Sequence, residues 1–130
     1  MPNEQLRGEA LMASLTVADI QKSLAWYRDV VGFSVNREFA REGRLMAVSL
    51  RAGAVAILIT QDDGAKGRDR PKGEGFSLQI TTTQEVDALA ESIKGRGAVL
   101  ASEPETNRFG ARVFRIQDPD GFRFTISSAT

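Results

Sequence analysis

The sequence predicts an α+β domain built from two βαβββ modules in tandem. Three observations predict it. An alternating apolar run followed by a capped amphipathic helix occurs twice, once around Leu15 and Val17 and again around Leu78 and Ile80. Each helix is followed by three short strand-like runs. One charged, glycine-rich stretch separates the two sets. Leu15 and Val17 match Leu78 and Ile80 at a fixed offset, and the helix caps Asp19 and Thr82 keep it. The units therefore read as an internal duplication.

The first strand is Ala10 to Val17. Leu11, Ala13, Leu15 and Val17 alternate with Met12, Ser14 and Thr16, which makes one apolar and one mixed face. Asp19 stands where an N-cap belongs. Ile20, Leu24, Tyr27 and Val31 then form one buried stripe of a helix, and Gly32 stops it. Strand-like runs follow at Phe33 to Glu38, Leu45 to Leu50 and Ala54 to Thr60. Their connections, around Gly43 and Gly53, are short and suit hairpins. Gln61 to Gly75 is too rich in charge and glycine for a core element and is expected to be a solvated linker or a lid.

The pattern then returns. Phe76, Leu78 and Ile80 alternate with Ser77, Gln79 and Thr81. Thr82 and Glu85 read as a capping box, Val86, Leu89, Ala90 and Ile93 as the helical stripe, and Gly95 and Gly97 as its end. Ala98 to Glu103, Ala111 to Gln117 and Phe122 to Ser127 are strand-like. Asp118-Pro119-Asp120-Gly121 joins the last two as a type I turn with a glycine bulge. One domain results, residues 10–127, made of modules 10–60 and 76–127 joined by loop 61–75.

Composition bounds the function. The 130 residues suffice for one domain with a real core. Lys plus Arg and Asp plus Glu are both 17, so no basic excess points to nucleic acid. There is no Cys and no His, which removes disulfides, thiolate chemistry and the commonest metal ligand and general base. The longest clean apolar run, Ala54 to Ile59, is far below the ~20 residues a bilayer span needs. A cytoplasmic protein is expected, with neither membrane nor nucleic-acid partner.

Two stretches carry a family resemblance. LTVADIQKSLAWYRDVVGF, Leu15 to Phe33, and FRIQDPDGFRFTI, Phe114 to Ile126, resemble the vicinal oxygen chelate superfamily of glyoxalase I, extradiol dioxygenases and bleomycin-resistance proteins. The duplicated element order extends the resemblance over roughly the whole domain. It implies a glyoxalase/bleomycin-resistance-like fold, in which the modules curl into a cupped mixed sheet with helices outside and ligand in the cup. It also implies a homodimer. The superfamily's metalloenzymes take one ligand, usually His or Glu, from each of four strands. Carried over one by one, those positions fall on Met12, Ile57, Gly75 and Thr125. None is a usual ligand for a first-row metal ion. The resemblance therefore points to a metal-free branch of the bleomycin-resistance type, with no cofactor.

Strand parity assigns Met12, Ser14, Gln79, Arg123 and Thr125 to the cup if Leu11, Leu15, Leu78, Phe122 and Phe124 face the helices. Ile57 is placed there by the family alignment. Arg108, Phe109 and Arg112, in a loop that related proteins place beside the ligand, are candidates for a planar or anionic group. Trp26 lies beside the first helical stripe, either half-buried or as a pocket wall or dimer contact. The expected function is binding or sequestration of a small organic molecule, an antibiotic or a metabolite, with no catalytic residue assigned. The alternative is a lyase or isomerase that works by side-chain acid–base chemistry or through an unmapped metal site. A metal-free enzyme needs a base such as Glu38, Glu42, Glu103, Glu105 or Tyr27, and predicts a carboxylate of raised pKa inside the cup.

Overall fold

The computed structural model describes residues 4–67 and 70–129. The first module contains β1 (Ala13–Val17), α1 (Ile20–Ala25) running into a π-helical turn (Trp26–Val31), then β2 (Ser34–Arg41), β3 (Arg44–Ala52) and β4 (Val55–Gln61). The second contains β5 (Leu78–Thr82), α2 (Val86–Gly95), β6 (Ser102–Thr106), β7 (Arg112–Gln117) and β8 (Arg123–Ser128). Each module folds into a four-stranded mixed sheet, ordered β1-β4-β3-β2 and β5-β8-β7-β6. β1 and β4 are parallel, as are β5 and β8, and the remaining pairs are antiparallel. The duplication is thus a structural one. Among the described residues, no helix is long and apolar enough to cross a membrane.

Asp19 caps α1 as expected, its Oδ1 accepting from the N–H groups of Gln21 and Lys22. The helix then widens. Gly32 N–H donates to the Tyr27 carbonyl, five residues back, and Gly32 leaves the helix at φ +110°. The second helix starts differently from the capping-box expectation. Glu85 is its N-cap and accepts from Ala88 N–H. Thr82 instead ends β5, and its hydroxyl accepts from Gln84 N–H in a local turn.

Two strands begin later than the sequence pattern suggests. β1 begins at Ala13, which pairs with Ile57 of β4, three residues after the Ala10 start of the alternating run. Leu11 consequently lies outside the ladder and is 97% exposed, not turned toward the helices. β6 starts at Ser102 rather than Ala98, where its pairing with Arg115 of β7 begins, and Val99 is left 90% exposed. Pro104 sits inside β6 at the bulge between Ser102 and Glu105, a position open to proline only because β6 is an edge strand.

Core-facing residues of both sheets join the helices in a single apolar cluster. Tyr27 lies at its centre, with Trp26, Phe33 and Phe124 packed edge-on around its ring. Phe124 belongs to the second module, so the modules share one core. Trp26 is half-buried against this cluster. Polar contacts cross the same boundary. Tyr27 Oη donates to Asp118 Oδ2 at 2.7 Å, and Arg96 Nε donates to the Val30 carbonyl at 2.8 Å.

The connection between modules is no solvated linker along its whole length. Lys72 Nζ donates to Asp62 Oδ2 at 2.8 Å and to the Thr16 carbonyl at 3.2 Å, and its side chain is only 9% exposed. Asp62 is held down to a pKa of about 2, first by the Lys72 hydrogen bond and then by the Gly64 N–H. That pKa lies below the ordinary 3.8, so the stabilisation is complete above pH 3.8 and is lost as pH falls through about 2. In Lys72→Met, followed by urea unfolding, stability above pH 3.8 is expected to fall and the decline toward pH 2 to become shallower, because Asp62 then titrates nearer its ordinary value. An unchanged limb would mean that the ion pair contributes nothing to folding.

A candidate ligand face on the two sheets

The helices and shared core cover one side of both sheets and leave the other side open. Residues paired across adjacent strands project from the same face, so register defines what this open face carries. In the first sheet Thr16, Thr60, Ala47 and Phe39 form one row, with the Thr60 and Thr16 hydroxyls 3.4 Å apart. Ser14, Leu58, Ser49 and Arg37 form the next. Ala56, Arg51 and Ser34 form a third, with Met12 just before β1 at its inner end. In the second sheet one row is Gln79, Thr125, Arg115 and Ser102. Thr81, Ser127, Val113 and Glu105 form another, and Arg123 stands beside Gln117.

Most sequence-assigned positions meet here. Met12, Ser14, Phe76 and Gln79 line a cleft of about 530 Å³ between the free edges of β1 and β5. Gln79, Thr125, Arg108, Phe109 and Arg115 line a groove of about 650 Å³ along the second sheet. Phe109 is 73% exposed at its rim, with the Arg108 guanidinium 4.9 Å from the ring centre. Arg123 projects from the same face.

Two residues point to the other side of the sheets. Ile57 pairs with Leu50 and Ala13 on the core side and is 3% exposed, so the cup-facing side chains of β4 are Ala56 and Leu58, and Ile57 reaches only the inner wall of the β1–β5 cleft. Alternation gives no signal on this strand, because every residue from Ala54 to Ile59 is apolar and hides the period. Arg112 shares the parity of Phe114 and Ile116 and points to the helix side. There it makes two 2.8 Å hydrogen bonds to Asp87 in the first turn of α2, which raise its own pKa and lower that of Asp87. The guanidinium that lies in the groove is Arg115, three residues on. Its signal was present in the FRIQ run, where Phe114 and Ile116 turn inward and leave Arg115 and Gln117 outward.

Metal-ligand chemistry is poor on this face. With the register corrected, the four family positions carry Met12, Ala56 or Leu58, Gly75 and Thr125. A thioether and one hydroxyl do not make a site for a first-row cation. Among the described residues no three His, Cys, Asp or Glu side chains gather anywhere. The strand rows of the open face contain a single carboxylate, Glu105, whose Oε1 accepts from Arg115 Nη1 at 3.4 Å.

A carboxyl group with a raised pKa does exist, but on the other side. Burial pushes Asp118 above 3.8, against the hydrogen bonds it accepts from Tyr27 and from the Phe122 and Asp120 N–H groups. Burial also drives the Tyr27 hydroxyl far above its ordinary pKa. Both groups lie in the core under the helices and close the Asp118–Gly121 turn. A larger crevice, about 760 Å³, also lies on the helix side between α2 and the β3–β4 turn, away from the assigned residues.

Residues 10–126 match the family model of the Glyoxalase/Bleomycin resistance protein/Dioxygenase superfamily. The chain belongs to this superfamily. It is 24% identical over 122 residues to a probable lactoylglutathione lyase of Vibrio cholerae, covering 89% of this chain and 87% of that one. It is also 24% identical over 116 residues to the lactoylglutathione lyase GLX1 of Arabidopsis thaliana, which matches 85% of this chain. The chain spans only about two fifths of that plant protein's length, 40%. A superfamily member from Sphaerobacter thermophilus shares the fold with a TM-score of 0.73, at 20% identity over 95% of this chain and 98% of that one. The α+β architecture of two four-stranded mixed sheets is therefore that of the superfamily.

Proposed function

We propose that this chain is a small-molecule binding protein of the superfamily that works without the transition-metal centre of its enzymes. The donor set carries the reading: a thioether, aliphatic side chains, a glycine and a hydroxyl stand where the metalloenzymes place imidazoles and carboxylates. What remains on the open face suits an organic ligand, with apolar floor from Leu58 and Met12 and hydrogen-bonding groups from Ser14, Gln79 and Thr125. The lyase names of the relatives come at 24% identity and do not carry an activity across this change in chemistry.

A thermal-shift series on untagged protein tests the proposal. A ligand that binds only the folded state adds about 2.7 kcal/mol at a hundredfold excess over Kd, several degrees for a domain of this size. Zn²⁺, Ni²⁺, Mn²⁺ and Fe²⁺ are expected to give no saturable rise, and a lactoylglutathione lyase assay with each ion no turnover. A saturable rise with one ion, abolished by Thr125→Val, would overturn the reading. So would metal-supported turnover.

A further inference from the structure

The chain is neutral, yet the strand rows of its open face carry an excess of one sign. Arg37, Arg51, Arg115 and Arg123 project from the strand rows of the open face, against the single carboxylate Glu105. Arg108 joins them at the rim of the groove. The opposite side carries both signs in pairs, Asp62 with Lys72 and Asp87 with Arg112, so the excess of one sign belongs to the open face. Low-dielectric walls under a face of one sign concentrate its field on whatever binds there.

The two halves of the face also differ in polarity. The inner strands of the first sheet offer Met12, Ala56 and Leu58, together with hydroxyls. The second offers Gln79, Arg115, Gln117, Arg123 and Thr125. Apart from Arg115, none of these five polar side chains makes a hydrogen bond among the described residues. Arg115 itself has only the long contact to half-exposed Glu105. The Arg115 guanidinium, lining the groove beside the Gln79 amide and Thr125 hydroxyl, with Arg123 exposed on the same face, is suited to an anionic group.

We propose that the open face takes an amphiphilic organic anion, with its carboxylate, sulfonate or phosphonate on Arg115 and Arg123 and its apolar body over Met12, Ala56 and Leu58. This rests on the small-molecule reading above and names the ligand class. Spacing sets its size. Arg123 stands one strand beyond β5 and Arg115 two, so their groups lie about 5 and 10 Å from the β1–β5 cleft at ~4.8 Å per strand. A head joined to a one- or two-ring body spans that distance. Glu105 competes with the ligand for Arg115 and limits its affinity.

Three probes share one body and differ in charge: 2-naphthoate, 2-naphthamide and 2-naphthylmethylammonium. Titration by calorimetry at low salt is expected to rank them in that order, the anion at least about tenfold tighter than the amide. Added salt should weaken the anion most. The double variant Arg115→Gln/Arg123→Gln should bring the anion down to the amide without changing amide affinity. Glu105→Gln should tighten the anion alone, an effect that simple damage to the fold would not produce. Equal affinity for anion and amide, or a preference that survives the double variant, overturns the inference and leaves the small-molecule reading standing. Failure of all three probes to bind at millimolar concentration overturns both. Melting curves of the variants, whose altered side chains are all exposed strand residues, serve as the folding control.

Discussion

Replacing Asp118 with Ala is expected to cost about 3–4 kcal/mol of stability, measured by urea unfolding at neutral pH. The side chain closes three hydrogen bonds in the core: from Tyr27 Oη at 2.7 Å, Phe122 N–H at 2.8 Å and Asp120 N–H at 2.9 Å. Alanine leaves the Tyr27 hydroxyl buried and unpaired, and a lone buried donor costs more than a bond contributes. Tyr27→Phe is expected to cost only about 1 kcal/mol, because it removes the donor together with its need. The double variant should therefore fall short of the sum by about 1–2 kcal/mol, the mark of a direct contact. Asp118→Asn keeps an acceptor oxygen and tests the charge. Burial raises the folded-state pKa of Asp118 above 3.8, so folding favours the protonated form. The resulting penalty is absent below pH 3.8, grows as pH rises above it, and is complete beyond the folded-state pKa. In Asp118→Asn that decline should vanish while the acid limb due to Asp62 remains. Strict additivity of the Tyr27 and Asp118 variants would show that the contact does not hold the modules together.

Why this contact was not foreseen shows where sequence reasoning stops. Tyr27 was legible as one residue of a helical stripe, and Asp118 as the first residue of a turn. Each was placed correctly within its own element. Nothing in a period of 3.6 or 2 says that two elements 91 positions apart meet. The same limit applies to Lys72, which sits in a stretch whose composition reads as linker but whose ammonium is buried between two aspartates. On the open face, parity located Ser14, Gln79, Arg123 and Thr125 because polar and apolar residues alternate along β1, β5 and β8. Along β4 every side chain from Val55 to Ile59 is apolar, so the face of Ile57 had no signal and only pairing with Leu50 decides it. Arg112 was drawn to the site by its neighbours Arg108 and Phe109, although its alternation with Phe114 pointed away. The change of face at Ile57 leaves the donor chemistry of that position as it was, because Ala56 and Leu58 offer a cation no more than Ile57 does.

Gly73→Ala is the second large effect expected, a loss of about 2–4 kcal/mol, and it tests how the modules are joined. Gly73 adopts φ +78°, where an L side chain is already strained. A Cβ built there would lie 2.7 Å from the Gly121 carbonyl oxygen and 3.1 Å from Phe122 Cα. Both neighbours are backbone atoms of the turn that Asp118 closes, so neither can swing aside. Gly67, at φ +90° in the same connection, has nothing within 4 Å of its Cβ position. Gly67→Ala carries the backbone strain without the collision and is expected to cost about 1 kcal/mol. The difference between the two isolates the contact. A second readout follows from the geometry. Lifting residue 73 off the turn also lifts Lys72, and Asp62 then loses the hydrogen bond that holds its pKa near 2. The acid limb of Gly73→Ala should therefore move toward that of Lys72→Met, while Gly67→Ala keeps the limb of the unaltered chain. Equal losses in the two glycine variants, with acid limbs unchanged in both, would mean that the connection merely spans the modules and that the shared core around Tyr27 and Phe124 alone holds them together.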